Sequence, residues 1–414
     1  MQKGSKLSMK SITIFVMLDA CRHDYISRRH TPFLHSLQSS SLSCPVKPTF
    51  GFEPDAAYLA GLYPDQADGG AQFWYNPKDS PFKLARFLPK WTNKLPKIPQ
   101  KIIRKLLLKA VRLSNSAPNL STAWLPFHLL NQFALPMMNG LDQPGFCPGH
   151  KSIFDLLREQ NLPWLFHAGP DYRVTINAAC KRAKVKLHPP LAFAFFHIGN
   201  LDGTGHAFGP HSDEIQTELS HVDHGLSKIY RLANKRFSNV NFVIMGDHGM
   251  IEVDHLLNVK EILSALPLSL EKDYMYILDS TMARFWFFSK QAKQLIGHAM
   301  KNLQGGHIIT KDEKDTFHLN YPHNRFGDMI YLANPGYLIF PNHYQVHRPE
   351  TGMHGYSSNA YGQQALLLIN SERVKHQQLK TPVAMRRVFP SVCDLLDISV
   401  PVDCNLPSLL TDLP

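Results

Sequence analysis

The chain of 414 residues is long enough to bury a large core in one domain with insertions or in two domains, and its 44% hydrophobic and 19% charged content excludes a disordered or fibrous protein. Lys and Arg number 44 against 33 Asp and Glu, a net charge of +11 that favours an anionic ligand or surface. No motif for reading DNA or RNA accompanies that charge, no run reaches the ~18 apolar residues that span a bilayer, and six unclustered cysteines argue against a disulfide framework or an all-cysteine zinc site.

Lys3, Lys6 and Lys10 precede the apolar run Ile12 to Leu18, a superficial likeness to a secretion signal. The run is too short and ends in Asp19 without a small-residue cleavage site, so it reads as a first strand, Ser11 to Leu18, of a cytoplasmic protein. Thr31 to Leu34 starts a short helix, with Pro32 tolerated at its first position. Pro54 to Ala60 has helix character and is ended by Gly61 and Pro64. Thr49 therefore stands in the approach to a helix N-terminus, where free N–H groups and the dipole favour an anion. Beside a divalent cation its hydroxyl can be deprotonated and attack phosphorus; an ordinary capping Thr is the alternative reading.

Asp68 to Pro77 is turn-rich and aromatic, a packed loop. From Leu88 to Met138 Pro, Lys and Arg dominate, and Lys101 to Arg112 is a basic amphipathic helix, either lying on an anionic membrane surface as a peripheral contact or serving as a lid with a solvated basic face. Core patterning resumes with a helix at Ser152 to Arg158 and strands at Trp164 to His167 and Leu191 to Ile198. The second of these strands runs into the glycine-rich segment Gly199 to Pro210, read as a loop carrying Asp202 and His206. A long helix, Glu214 to Ala233, leads to Val243-Ile-Met-Gly-Asp-His-Gly-Met250, a buried strand whose turn puts Asp247 and His248 at the carboxyl edge of a sheet. Beyond Glu252 the alternation weakens through Thr281 to Phe288 and Arg325 to Leu332, and Gly352 to Tyr356 brings His354 between glycines. Gln364 to Ile369 is a last core strand and Arg386 to Leu396 a closing helix.

This order describes an α/β sandwich with a mostly parallel central sheet flanked by helices: one catalytic domain over residues 1–414, with a basic, Pro-rich insertion at 85–150 and a smaller α+β insertion at 255–350. The residues at strand ends are Asp19, Asp202, His206, Asp247, His248 and His354. Three carboxylates and three imidazoles make two three-ligand sets, each leaving positions open for water or substrate, as a catalytic zinc site requires. Two such ions ~4 Å apart clamp the attacking and leaving oxygens of a phosphoryl displacement. His23, His197, His211, His221 and His224 read as surface or supporting groups, Cys21 as buried packing, and Arg284 and Arg325 as salt-bridge partners.

Leu18-Asp-Ala-Cys-Arg-His-Asp24, Gly61-Leu-Tyr-Pro64, Asp202-x-x-x-His206, Gly246-Asp-His-Gly-Met250 and Gly352-Met-His-Gly-Tyr356, in that order, resemble the alkaline phosphatase superfamily, and within it the nucleotide pyrophosphatase/phosphodiesterase branch. The resemblance implies one zinc on Asp202, His206 and His354, a second on Asp19, Asp247 and His248, and a two-step reaction through phospho-threonine. It implies a phosphate-contacting amide at Gln72, where the branch more often has Asn, and a nucleophile ten residues before the helix-ending Gly. That position is Gly51, whereas Thr49 lies twelve before Gly61; Thr49 is taken as the nucleophile. Cys44-Pro-Val-Lys-Pro48 does not fit the sulfatase pattern Cys-x-Pro-x-Arg.

The expectation is a two-metal hydrolase of phosphodiesters or pyrophosphates acting on a phosphorylated small molecule or lipid head group. A phosphomonoesterase and a non-catalytic anion- or lipid-surface binder are the alternatives. An Arg clamp on the third phosphate oxygen favours monoesters, and an aromatic wall such as Phe73 to Tyr75 favours diesters.

Overall fold

The computed structural model describes residues 11–114, 122–135, 139–169 and 173–412; Lys3, Lys6 and Lys10 and parts of the basic insertion lie outside them. In chain order the elements that position the site are β1 (Ser11–Leu18), β2 (Leu42–Lys47), α1 (Asp55–Ala60), α2 (Lys97–Ser114), β3 (Trp164–His167), α3 (Ile176–Lys186), β4 (Phe193–Ile198), α4 (Asn200–Phe208), α5 (Asp213–Arg236) and β5 (Asn239–Met245). They are followed by β6 (Tyr274–Leu278), β7 (Met282–Phe287), β8 (Gly306–Ile308), β9 (Met329–Ala333), β10 (Ala365–Asn370), β11 (Gln377–Gln378), β12 (Val383–Ala384) and α6 (Val388–Leu395).

The central sheet runs β11-β2-β10-β5-β1-β4-β3, with β12 also on β2. Every pairing is parallel except those of β10, which is antiparallel to both β2 and β5. β1 lies between β4 and β5, with Phe15 level with Phe195 on one side and Val243 on the other. Its side chains alternate between two cores. Ile12, Ile14, Val16 and Leu18 join α3 and α5 on one face, while Phe15 and Met17 join Tyr58 of α1 and Phe389 of α6 on the other. Burial on both faces is why the strand reads as one unbroken apolar run, and each such side chain contributes about 1.5–3 kcal/mol.

α1 stops where Gly61 enters the left-handed region at φ 71°, turning the Gly61 and Leu62 amides back onto the Ala57 and Ala56 carbonyls. Asp202 and His206 lie on α4, not on a loop. Of the glycines inside this helix Gly205 serves close packing: a Cβ there would meet the Met250 side chain at 3.1 Å, and one at Gly352 across from it would meet the Gly205 carbonyl at 2.4 Å. On a helix the four-residue spacing sets the carboxylate and imidazole on one face.

A second, antiparallel sheet, β6-β7-β9-β8, forms beyond β5. The basic stretch packs onto it: Ile103, Leu107 and Val111 of α2 share a cluster with Met275, Ile277 and Trp286. Leu141, Phe146 and Cys147, within the stretch read as a basic insertion, pack in the main core. Phe73 and Trp74 are 1% and 3% exposed and pack inside this second unit against apolar side chains of β6, β7 and β9, as the packed-loop reading of Asp68 to Pro77 requires, so these two rings form no substrate wall. All six cysteines are free.

Arg284 of β7 is fully buried, 2.7 Å from Asp279 and 4.7 Å above the Phe326 ring. Arg284→Leu strands the Asp279 charge and should cost about 3–5 kcal/mol in urea unfolding, whereas the pair Asp279→Leu/Arg284→Leu recovers most of that loss. Equal midpoints for the single variant and the native chain would show that this ion pair does not hold the second unit.

Candidate functional site

Parallel strands end on a common edge, and this edge collects the acidic residues. Asp19 follows β1, Asp202 lies in the first turn of α4 just after β4, and Asp247 and His248 follow β5. His354 arrives on the short strand Gly352–Met353, which pairs with Ile251–Glu252 just downstream of β5. His248 Nε2 is 3.4 Å from Asp19 Oδ1 and 3.5 Å from Asp247 Oδ2. His206 Nε2 is 3.1 Å from Asp202 Oδ1, and His354 Nε2 is 3.8 Å from the same oxygen. The His248 and His354 rings stack with centroids 3.6 Å apart. All six side chains thus form one connected cluster.

Donor atoms of Asp19, Asp247 and His248 lie within 4.8 Å of one another, as do those of Asp202, His248 and His354, all buried. The first set matches one of the two expected on resemblance. In the second, His248 stands where His206 was expected, and His206 sits beside it, bonded to Asp202 and 5.2 Å from His354 ring to ring.

Hydrogen bonds aim these groups. His206 Nδ1 faces the Gly352 carbonyl at 2.8 Å and Glu350 at 2.9 Å, and His248 Nδ1 faces the Gly249 carbonyl at 2.8 Å. Both rings therefore turn Nε2 toward the carboxylates, the orientation that backbone or carboxylate partners impose on metal-binding imidazoles. Asp247 Oδ1 accepts from the Ala20 and His248 amides at 3.0 and 2.9 Å. Both oxygens of Asp19, Oδ1 of Asp202 and Nδ1 of His354 are buried without a well-aligned hydrogen bond among the described residues, the carboxylates being met by ion-pair contacts alone. Lone pairs held that way in a dry site, on a set of hard oxygen and imidazole donors, fit divalent cations.

Two further groups complete the electrostatics: Arg173, which no sequence pattern singled out, and His197, read from the sequence as a surface or supporting group. Arg173 reaches in from the segment after β3, with Nε 2.5 Å from Asp19 and Nη1 2.5 Å from Asp202, so one guanidinium spans carboxylates of both sets. Buried His197, at the end of β4, has Nε2 3.4 Å from Asp19 Oδ2, and among the described residues neither ring nitrogen makes a well-aligned hydrogen bond. Its place near a strand end was the available signal; Arg173 lies six residues past the end of β3 and offered no such signal.

Charge crowding moves the titrations. Burial opposes charge on His206, yet Asp202 and Glu350 raise it to about 10. Burial tends to raise Asp202, but His206, Arg173 and His354 hold it well below the usual carboxylate range. Burial and then His248 and His206 push His354 well below an ordinary imidazole. Burial and Asp19 lift Asp247 to about 6.

The helix expected at Pro54 to Ala60 runs from Asp55 to Ala60 with Thr49 in its approach, and because it starts six residues beyond Thr49 the capping reading of that residue is excluded. Pro54 supplies the N-cap without a side-chain bond, and the half-buried Thr49 hydroxyl meets no hydrogen-bond partner among the described residues. The loop is held by its aromatics: Phe50 stacks on Phe317 at 4.7 Å and Phe52 meets the edge of His354 at 5.5 Å. Gly51, the position ten before Gly61, has φ +107°, and a Cβ there would lie 2.1 Å from the Gly70 carbonyl. No side-chain nucleophile fits at that position, which leaves the loop residues around it. Asp55, the first residue of α1, accepts a hydrogen bond from the Tyr58 hydroxyl and feels the charges of His197, Asp19 and Arg173. Gln72 is half-buried on the loop before Trp74–Tyr75, with no hydrogen bond to any of the six.

In sequence, the family described as type I phosphodiesterase / nucleotide pyrophosphatase matches residues 13–357. The chain is 22% identical over 218 residues to human bis(5'-adenosyl)-triphosphatase ENPP4, covering 51% of this chain and 46% of that one. It is 24% identical over 259 residues to an uncharacterized pyrophosphatase/phosphodiesterase of Schizosaccharomyces pombe, covering 58% and 45%. The chain spans about half the length of these curated relatives. Murine ectonucleotide pyrophosphatase/phosphodiesterase 5 shares the fold, with a TM-score of 0.69 at 17% identity and 96% of each chain covered; its inactive variant was solved with AMP.

Because Asp247 titrates near 6 rather than at its ordinary 3.8, the folded chain keeps a proton there that the unfolded chain gives up, and stability is lost as pH rises from about 4 to about 6. In chelator, Asp247→Asn should therefore melt higher than the native chain above pH 6, with the advantage fading toward pH 4. Added divalent cation should reverse the order. A native melting curve indifferent both to pH and to cation would contradict this reading of the cluster.

Proposed function

The chain belongs to the type I phosphodiesterase / nucleotide pyrophosphatase family, and from that premise we propose that it is a metal-dependent hydrolase of phosphodiester or pyrophosphate bonds. The observation that carries the reading is the meeting, on one sheet edge, of three buried carboxylates and three imidazoles whose lone pairs face one another with few hydrogen bonds to satisfy them. On family resemblance Asp202, His206 and His354 would hold one ion and Asp19, Asp247 and His248 the other; the geometry supports the second set and brings His248 within reach of Asp202 and His354 as well. When bound, two divalent ions, zinc being the best match to these donors, would neutralise phosphate charge and acidify a nearby hydroxyl.

The chain's own groups then have distinct tasks. Glu350 and the Gly352 carbonyl fix the His206 ring, Gly249 fixes His248, and the Ala20 amide fixes Asp247. Thr49 is assigned the attack on phosphorus on family resemblance: its Oγ would bond to phosphorus as the bridging ester or anhydride oxygen departs, and water would then cleave the phospho-threonine. A Gln72 contact to a phosphate oxygen rests on the same resemblance.

A second reading, phosphomonoester hydrolysis, is favoured by one observation. Of the rings that would favour diesters Phe73 and Trp74 are buried and only Tyr75 is partly exposed, whereas the cation Arg173 stands among the carboxylates. Initial rates on bis-p-nitrophenyl phosphate and p-nitrophenyl phosphate separate the two, the diester being expected to turn over faster.

Chelation should abolish hydrolysis and Zn²⁺ restore it; retention of full activity without metal would end the proposal. Thr49→Ala should lower kcat at least about a thousandfold while both metals stay bound by elemental analysis. If that variant keeps native turnover, the nucleophile lies elsewhere, with water or Asp55 next in line.

A further inference from the structure

Large apolar side chains are exposed unevenly. Among the described residues twelve stand out in solvent, and six of them, Leu84, Phe87, Trp91, Ile98, Ile102 and Leu106, come from one 23-residue stretch. Ile98, Ile102 and Leu106 recur every fourth residue along α2 and are 72%, 54% and 62% exposed. They share one face of the helix. Ile103, Leu107 and Val111 supply a different face, which is packed against Met275, Ile277 and Trp286. α2 is thus apolar toward the protein and apolar again toward solvent.

Cations border the outer face. Lys97, Lys101, Lys105 and Lys109 each precede a position on the exposed repeat by one residue or extend it, and all four are exposed. Arg104, by contrast, is 7% exposed, donates to the Leu125 carbonyl at 2.8 Å and lies 4.5 Å over the Phe127 ring, so it anchors the helix rather than facing outward. Between positions 80 and 141 there are seven Lys and three Arg and no Asp or Glu. Leu84, Phe87 and Trp91 sit on the two short 3-10 turns Lys83–Phe87 and Lys90–Lys94, which lead into α2. Gln100 joins them to the helix through the Asn93 and Leu95 carbonyls.

We propose that Lys83 to Lys109 is a docking surface for an anionic lipid bilayer, with Trp91, Phe87 and the Ile98-Ile102-Leu106 row entering the interface and the lysines meeting lipid phosphates. Charge complementarity decides the partner: a stretch with seven lysines and no acidic group is matched by a continuous anionic plane, and lysine stems can lie along apolar surface while their ammonium groups stay at the head groups. No described helix is long and apolar enough to cross a membrane, so the contact is with the surface. Trp and Phe are suited to that boundary because a large ring buries apolar area at little entropic cost, and the indole N–H of Trp tolerates water.

The test uses the full chain and vesicles of phosphatidylcholine with or without phosphatidylserine. Cosedimentation should require phosphatidylserine and weaken as salt rises. Ile98→Ser/Ile102→Ser/Leu106→Ser should lower binding at least tenfold, roughly, at unchanged melting temperature, and Lys97→Glu/Lys101→Glu/Lys105→Glu should lower it about fivefold or more per lysine. A measurement independent of these variants is quenching by brominated lipid: native fluorescence should be quenched, and Trp91→Phe should remove that component. No phosphatidylserine-dependent binding at low salt overturns the proposal. So does binding indifferent to the serine variant, which is adsorption of a +11 chain by charge alone. A lipid-free dimer that the serine variant abolishes would assign the face to a second copy and equally overturn it.

Discussion

Three carboxylates forced together away from water organise the active edge of this protein. Asp19, Asp202 and Asp247 are each at most 6% exposed, and β1, β4 and β5, lying side by side and parallel, deliver them to the same place. Like charges at that spacing repel strongly where the dielectric is low, so every neighbouring element supplies compensation. α4 contributes His206 one turn from Asp202, the turn after β5 contributes His248, and the segment after β3 sends in Arg173. His197 comes from β4 itself. The backbone helps as well, with the Ala20 and His248 amides both donating to Asp247. The fold's apolar energy, from cores on both faces of the sheet, sustains a cluster that would not assemble for its own sake.

The second unit matters because it closes around the loop between β2 and α1. Phe50 belongs to the apolar cluster that includes Met282, Ile330 and Leu332, and Phe52 leans on His354. A loop pinned at both of its aromatics keeps the backbone from Phe50 to Phe52 in one place beside the cluster. Gly51 between them is left no freedom to be anything else, since the Gly70 carbonyl occupies the space of a side chain. The basic insertion, anchored by Arg104 and the inward face of α2, extends the same unit and leaves its other face to solvent.

Much of this was legible in the chain itself. Runs such as Ile12 to Leu18 and Phe242 to Met245 announce strands buried on both sides, and a carboxylate or imidazole directly after such a run has nowhere to be but the strand edge. That logic names Asp19, Asp247 and His248 without coordinates; Asp202 and His206 came from the glycine-rich segment after a strand, and His354 from its place between glycines. The reading failed for Asp202 and His206 only in the local structure, where Gly203 and Gly205 imitate a loop inside a helix.

What sequence by itself determined, then, is the alternation of strands and helices, the six polar residues at strand ends and the basic character of the insertion, each a matter of neighbouring residues. Only the tertiary structure decided that His248 is common to both sets, that Arg173 spans them, that Phe73 and Trp74 are core, and that α2 turns a second apolar face outward. Those outcomes depend on which distant segments pack against one another. Packing of that kind is set by shape and volume across the whole chain, and no local spacing encodes it.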